Sequence, residues 1–352
     1  MSSSTQTGSG RRFRRALLAL AVAALVVTAG CSSVPGMGGD GDAGSGPALD
    51  TVPAEATAVG YVDVQGTLND DAVRTVLDEL ANQTSGPSGP EDTDGALDEL
   101  ETTSDLNPEE LVEVTIFTRS SAAAEGDAEY TGAIMAADWT EEEIVAAARN
   151  ATTDDDGVTE TTHAGYNVYH TDEDNSWLGV LDDGRYVAGT EAAVTGALDT
   201  AAGDEEAIGG DVRSAFEATG DGHVRFASTV PQDELDTGDV SPGMGGTGSD
   251  VFSEVQTVSG SFATVDGDLS LSARLAFPAS EDATNARNVL NGSVTAYRGL
   301  ASDNTTRDAL SPERLSIETD GSAVVVTSTN PPETYVDAFE MLFLLSAPGA
   351  GY

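Results

Sequence analysis

Three Asp-Gly pairs, at 183–184, 266–267 and 320–321, each lie between two runs in which apolar and polar residues alternate. Alternation is the period of a strand with one buried face, and Asp-Gly supplies the backbone of a tight two-residue turn. Each pair therefore predicts an antiparallel hairpin. The runs are "SWLGVLDD" with "RYVAG", "VQTVSGSFATV" with "DLSLSARLAF", and "RLSIETD" with "SAVVVTS". A chain with this punctuation builds antiparallel sheets, and any helices must pack on them.

Helical periods fill the intervals. Residues 58–64, "AVGYVDV", alternate as a strand and lead into a helix over Asp70–Ala81, with Val73, Val76, Leu77 and Leu80 on one face. "LVEVTIFTR", "EYTGAIMAAD" and "YNVYH" read as strands. In "TEEEIVAAARN", Thr140 and Glu143 have the spacing of a capping box at a helix start. Helices are also predicted over Glu191–Ala201 and Asp282–Leu300, and "HVRFASTV" as a strand. Asn330 and Pro331 cap and start a last helix, whose Tyr335, Phe339, Leu342 and Phe343 form one stripe suited to packing on a sheet. Both halves thus offer a strand, a strand pair, a helix, a hairpin and a final helix. The expected fold is α+β, two related lobes with antiparallel sheets and packed helices, over 51–207 and 208–352. Gly/Ser/Pro-rich loops are expected at Asn82–Gly95 and Asp236–Asp250.

The chain has 61 acidic residues and 15 basic ones, and all 15 are arginine. Four of the arginines precede Ala16 and no acid precedes Asp40, so the remainder carries 11 arginines against 61 acids, 11 minus 61 or −50. Such a charge repels itself over about 8 Å at physiological salt but over only about 3 Å at 1 M. It also repels phosphate backbones and bare anionic lipid, which excludes nucleic acid as a partner. The absence of lysine excludes a Walker A loop, a Schiff-base amine and the Ser-x-x-Lys hydrolases together.

Residues 11–31 read "RRFRRALLALAVAALVVTAGC": a positive segment, an apolar run from Ala16 to Val27, and small residues before the one cysteine. That is the order of an export signal, and the run is shorter than a membrane-spanning helix requires. Arg14-Arg15-Ala16-Leu17-Leu18 resembles the twin-arginine export motif, with Phe13 where Ser or Thr is usual and Leu17 where Phe is usual. Thr28-Ala29-Gly30-Cys31 resembles a lipobox. Together they resemble the surface lipoproteins of salt-accumulating archaea, as does the lysine-free acidity. The resemblance implies cleavage after residue 30, lipid on Cys31 as the membrane partner, and the extracellular face of the cytoplasmic membrane as the location. With Cys31 modified no thiol remains for a disulfide. Residues 32–50, "SSVPGMGGDGDAGSGPALD", then form a tether of about 25 Å.

Chemical motifs are sparse. Two G-x-G-x-x-G matches, at Gly36 and Gly243, fall in linker composition and connect no strand to a helix, so they hold no phosphate. The acidic stretches at 152–160 and 171–176 lack the spacing of a calcium loop. His163 and His170, with Asp172 nearby, are weak metal or acid-base candidates without a spacing motif. No catalytic residue, metal site or cofactor is assigned. Tyr166, Tyr169, Trp177 and Tyr186 alternate as core residues do. Sequons stand at Asn82, Asn150, Asn291 and Asn304, of which Asn82 and Asn304 are the better glycosylation candidates because loops are expected there.

The expected function is a lipid-anchored, non-catalytic surface module that binds or organises envelope components in high salt, its ligand or protein partner unidentified. The alternatives are the solute-capture lipoprotein of a transporter, which requires a ligand cleft between lobes, and a secreted hydrolase. A deep cleft between the lobes separates the first two readings.

Overall fold

The computed structural model describes residues 47–84, 92–119, 130–151, 157–171, 176–182, 184–230, 249–301 and 304–336. The fold is α+β, with two related lobes of antiparallel strands and packed helices. The first lobe contributes β1 (Ala58–Asp63), β2 (Leu111–Thr118), β3 (Thr131–Ala137), β4 (Thr159–His163), β5 (Tyr166–Thr171), β6 (Ser176–Asp182) and β7 (Arg185–Gly189). The second contributes β8 (Val224–Thr229), β9 (Thr257–Val265), β10 (Asp268–Ala276), β11 (Leu315–Asp320) and β12 (Ala323–Asn330). All twelve form one sheet in the order β11-β12-β10-β9-β8-β1-β2-β3-β7-β6-β5-β4. From the centre outward the lobes follow one rule. The first strand pairs the second, the second the third, and the third pairs the last strand of a later hairpin, β7 or β12. The lobes meet where β1 and β8 run antiparallel, from Ala58 opposite Ser228 to Val62 opposite Val224.

The three Asp-Gly hairpins form where expected. Asp266 (φ 53°) and Gly267 (φ 87°) make a tight turn in which both central residues have positive φ. Between β3 and the β4–β5 hairpin lies α4 (Glu141–Ala151), preceded in the chain by α1 (Val64–Asn69), α2 (Asp71–Thr84) and α3 (Thr93–Ser104). Its capping box is closed both ways: the Glu143 carboxylate accepts from the Thr140 N–H at 2.8 Å, and the Thr140 hydroxyl accepts from the Glu143 N–H at 3.3 Å. Asp70 starts α2 by accepting from the N–H groups of Ala72 and Val73 at 2.9 and 3.0 Å. The expected loop at 82–95 is shorter than its composition suggests. The α2 helix runs on to Thr84, and α3 begins at Thr93 with Asp92 accepting from the Gly95 N–H.

After β7 come α5 (Glu191–Ala202) and α6 (Gly210–Glu217); the second lobe adds α7 (Ser249–Phe252), α8 (Ser280–Leu300) and α9 (Asn304–Ala309). Asn330 does not cap the last helix. It ends β12, is 3% exposed, and its amide donates to the Ser328 hydroxyl. The helical residues that follow start at 332. Phe339, Leu342 and Phe343 lie outside the described residues. Tyr335 packs on the sheet as its stripe predicts, buried beside Leu269 with its hydroxyl donating to the carbonyls of Leu269 and Ser328.

Neighbouring residues on a strand point to opposite faces, so Tyr61 and Val62 name the two faces. The Val62 face is covered along both lobes. Ile144 and Val145 of α4 pack with Val114, Met135 and Tyr186, Val73 and Val76 of α2 with Leu269, and Ala283 and Ala286 of α8 with Val324. The Tyr61 face is apolar in the first lobe. There Val59, Phe117 and Val187 lie under Val194, Ala197 and Leu198 of α5, while Val212 and Phe216 of α6 cover the same face over β8 and β9, beside Ala227. Each fully buried side chain of this size contributes about 1.5–3 kcal/mol, which is how a chain without a disulfide holds its form.

Candidate functional site

Cys31, Arg14, Arg15 and Asp172 lie outside the described residues. His163 and His170 both face the Tyr61 side, but His163 stands opposite Tyr166 beside the turn and His170 opposite Thr159 at the far end of the hairpin. Four residues of strand separate them, about 13 Å. Each has another partner: His163 Nε2 lies 2.8 Å from Asp199 Oδ1 on α5, and His170 stacks on Trp177 with centroids 4.4 Å apart. They do not converge, and no group of three metal-ligating side chains forms among the described residues. The four aromatic residues divide between the faces. Tyr169 and Tyr186 are buried on the Val62 face, and Tyr166 and Trp177 flank the core on the other. Asn82 falls within α2 rather than in a loop. Asn304 is exposed as the first residue of α9, its side-chain oxygen accepting from Arg307 at 3.1 Å. Asn150 donates to Asp105 and Asn291 to the Arg287 carbonyl.

The feature that residue-by-residue reading missed is a bank of hydroxyls on the Tyr61 face of the second lobe. One row of paired residues crosses this face from edge to edge. Outward from Tyr61 through the first lobe it reads Thr115, Ile134, Val187, Gly179, Val168 and Thr161. In the other direction it reads Arg225, Ser261, Ser272, Thr327 and Ser316. Ser259 and Ser270 lie beside this second half, on the same face. Ser270 and Thr329 share a hydrogen bond of 2.8 Å, but the hydroxyls of Ser259 and Ser261, in residues 1% and 3% exposed, make none. Alternation on β9 signals the bank, since Ser259 and Ser261 interleave with Val258, Gly260 and Phe262, but only the register brings the hydroxyls of four strands together, and those on β9 are enclosed.

Arginines bound the bank. On the central strand, Arg225 lies over the Phe216 ring at 4.6 Å and donates to the Thr219 hydroxyl and the Phe216 carbonyl, and burial lowers its pKa. Next to it the Tyr61 hydroxyl donates to the Glu113 carboxylate at 3.0 Å, and burial together with that carboxylate's charge pushes the phenol far up, so it stays protonated. Toward the outer edge Arg274 donates to Asp320 at 2.7 Å. A serine nucleophile needs a base hydrogen-bonded to it, and Ser259 and Ser261 have no such partner.

No protein-family model matches the chain, and no curated protein matches its sequence. Among solved structures, crystal form III of TP0453 aligns over 85% of this chain and 100% of its own, with 9% identity and a TM-score of 0.48. Crystal form I of TP0453 aligns over 85% and 98%, with 11% identity and a TM-score of 0.41. Likeness at this level carries no argument about function.

Proposed function

We propose that the chain is a lipid-anchored, non-catalytic module of the outer face of the cytoplasmic membrane, working in concentrated salt and binding an envelope component. The observation that supports this most is the junction of the lobes. A solute-capture lipoprotein needs two bodies that open about a cleft, whereas here β1 and β8 are hydrogen-bonded neighbours in a continuous sheet. Beneath that junction Val59, Ala227 and Phe216 belong to one core cluster. The reading of residues 11–31 as signal and lipobox supplies the anchor, and the unactivated serines argue against a hydrolase.

The test is fractionation of cells expressing the parent chain, Cys31→Ser, and a variant with Arg14→Lys and Arg15→Lys. Cys31→Ser is expected in the medium or unprocessed, and the paired lysine variant inside the cell. If Cys31→Ser remains as firmly bound to membranes as the parent, the anchor is not a lipid on that residue. If the lysine variant is exported normally, the general secretory route carries the chain.

A further inference from the structure

The α8 helix has a counterpart in the first lobe. Both α4 and α8 follow the third strand of their lobe and precede the hairpin that returns to it, and both lie on the Val62 face. Yet α4 has 11 residues and α8 has 21. The part of α8 that the sheet uses ends near Leu290, which packs with Val324, Val326 and Ile317. Of the ten residues after it, 291–300, eight are exposed. At about 1.5 Å per residue the helix is about 30 Å long, whereas β11, with six residues, spans about 20 Å. Covering the sheet does not account for this overhang.

Its chemistry differs from the rest of the surface. Acids occur at about one residue in five after Asp40, yet between Asp282 and Asp303 there is none, and this run of 20 residues is the longest without an acid anywhere after Asp40. The large hydrophobic side chains that are exposed among the described residues, Tyr297 at 58% and Leu300 at 83%, both lie in it, three residues apart on one side of the helix. A chain of charge −50 that keeps carboxylates off one projecting apolar ridge has made the place where another body of like charge can approach.

We infer that this overhang is a contact between two copies of the chain. In an antiparallel crossing about a two-fold axis, Tyr297 of each copy packs on Leu300 of the other, so the ridge is complementary to itself and needs no other surface. Elsewhere, bringing two copies together sets carboxylates against carboxylates. Two to three turns of helix bury a few hundred Å² per copy, less than the ~800 Å² per partner of a stable interface, so the pairing is reversible and concentration-dependent. The inference does not depend on the lipid anchor.

The experiment is sedimentation equilibrium of residues 31–352 carrying Cys31→Ser, in 2–3 M KCl, from micromolar to millimolar protein. Leu300→Asp is compared with Asn285→Asp, which adds the same charge at an exposed position of α8 away from the ridge. The parent is expected to dimerise with rising concentration, Leu300→Asp to need at least about tenfold more protein, and Asn285→Asp to behave as the parent. Because residue 300 is exposed, circular dichroism of all three should coincide. A parent that stays monomeric to millimolar concentration, or a Leu300→Asp dimer as strong as the parent's, overturns the inference. So does a monomeric parent that floats with vesicles of phosphatidylglycerol while Leu300→Asp does not, since the ridge then contacts lipid.

Discussion

Removing the hydroxyl from Ser259 or Ser261 should make the ligand-free protein more stable, which is the reverse of the usual effect of a buried substitution. Both residues are almost fully enclosed, and neither hydroxyl makes a hydrogen bond. A buried polar group without a partner costs about 1–3 kcal/mol of desolvation. Serine to alanine deletes that group and leaves a void of one oxygen atom, so the cavity penalty is small. We therefore expect Ser259→Ala and Ser261→Ala each to gain about 1 kcal/mol. The double variant should gain about 2 kcal/mol if the two positions, neighbours on one face of β9, act independently. The assay is urea unfolding in 2 M KCl, followed by circular dichroism. Urea is uncharged and leaves screening constant, which guanidinium would not. A gain appears as a higher midpoint at unchanged slope. If instead either alanine variant loses about 1 kcal/mol or more, the hydroxyls are satisfied in solution and the reasoning is refuted.

Two further outcomes follow from charge and burial. Without residues 1–31, the protein should fold in molar KCl and lose structure when diluted to about 0.01 M salt, where repulsion reaches about 30 Å. Mild acidification should partly restore the dilute sample, and circular dichroism against salt at two pH values checks both; a fold indifferent to dilution would show that the acidity has another purpose. Burial, with Glu55 nearby, pushes the Tyr130 phenol up to about 12, and burial with the Glu141 hydrogen bond does the same to Tyr169. A folded pKa above the unfolded value of about 10 gives stability that is complete below pH 10 and lost as pH rises through 12. Unfolding in high salt should therefore set in between pH 10 and 12. Tyr169→Phe should lessen that loss, since it removes one of the groups that must ionise.

What could be read from the sequence was what is local. Asp-Gly turns, the Thr140–Glu143 box and the apolar stripe of α2 are each specified within a few residues, and each forms. The α3 helix escaped because "TDGALDELETTS" carries almost no apolar stripe, and the residues it buries are Thr93 and Ser104. The β4 strand escaped because "TETTH" has no apolar residue and its turn, Ala164 (φ 49°) with Gly165 (φ 90°), lacks the Asp-Gly signature. Element order suggested two similar halves, but the pairing of β1 with β8 joins residues more than 160 apart, and no local signal specifies it. The hydroxyl bank depends on that register as well. Four unremarkable serines and threonines on four strands come together on one face only when the strands are aligned.

The two halves share an order of elements yet differ on the Tyr61 face, and the difference lies in what a helix can sit on. In the first lobe the row from Tyr61 passes through Ile134 and Val187 to Gly179, where an added Cβ would stand 3.1 Å from the Leu198 methyls and 3.0 Å from Val187. That absent side chain is what lets α5 approach. In the second lobe the matching row from Ala227 reads Ser259, Arg274, Val325 and Glu318. The α6 helix covers this row only as far as β9; a helix laid farther out, over Arg274 and Glu318, would bury a guanidinium and a carboxylate and have to satisfy both, at a cost of several kcal/mol per ion before pairing. The helical turn after β12 goes to the opposite face instead, where Tyr335 meets Leu269. Antiparallel sheets tolerate one polar face. This one keeps its polar stretch on β10 to β12, beside an apolar core that lies on both faces of the first lobe.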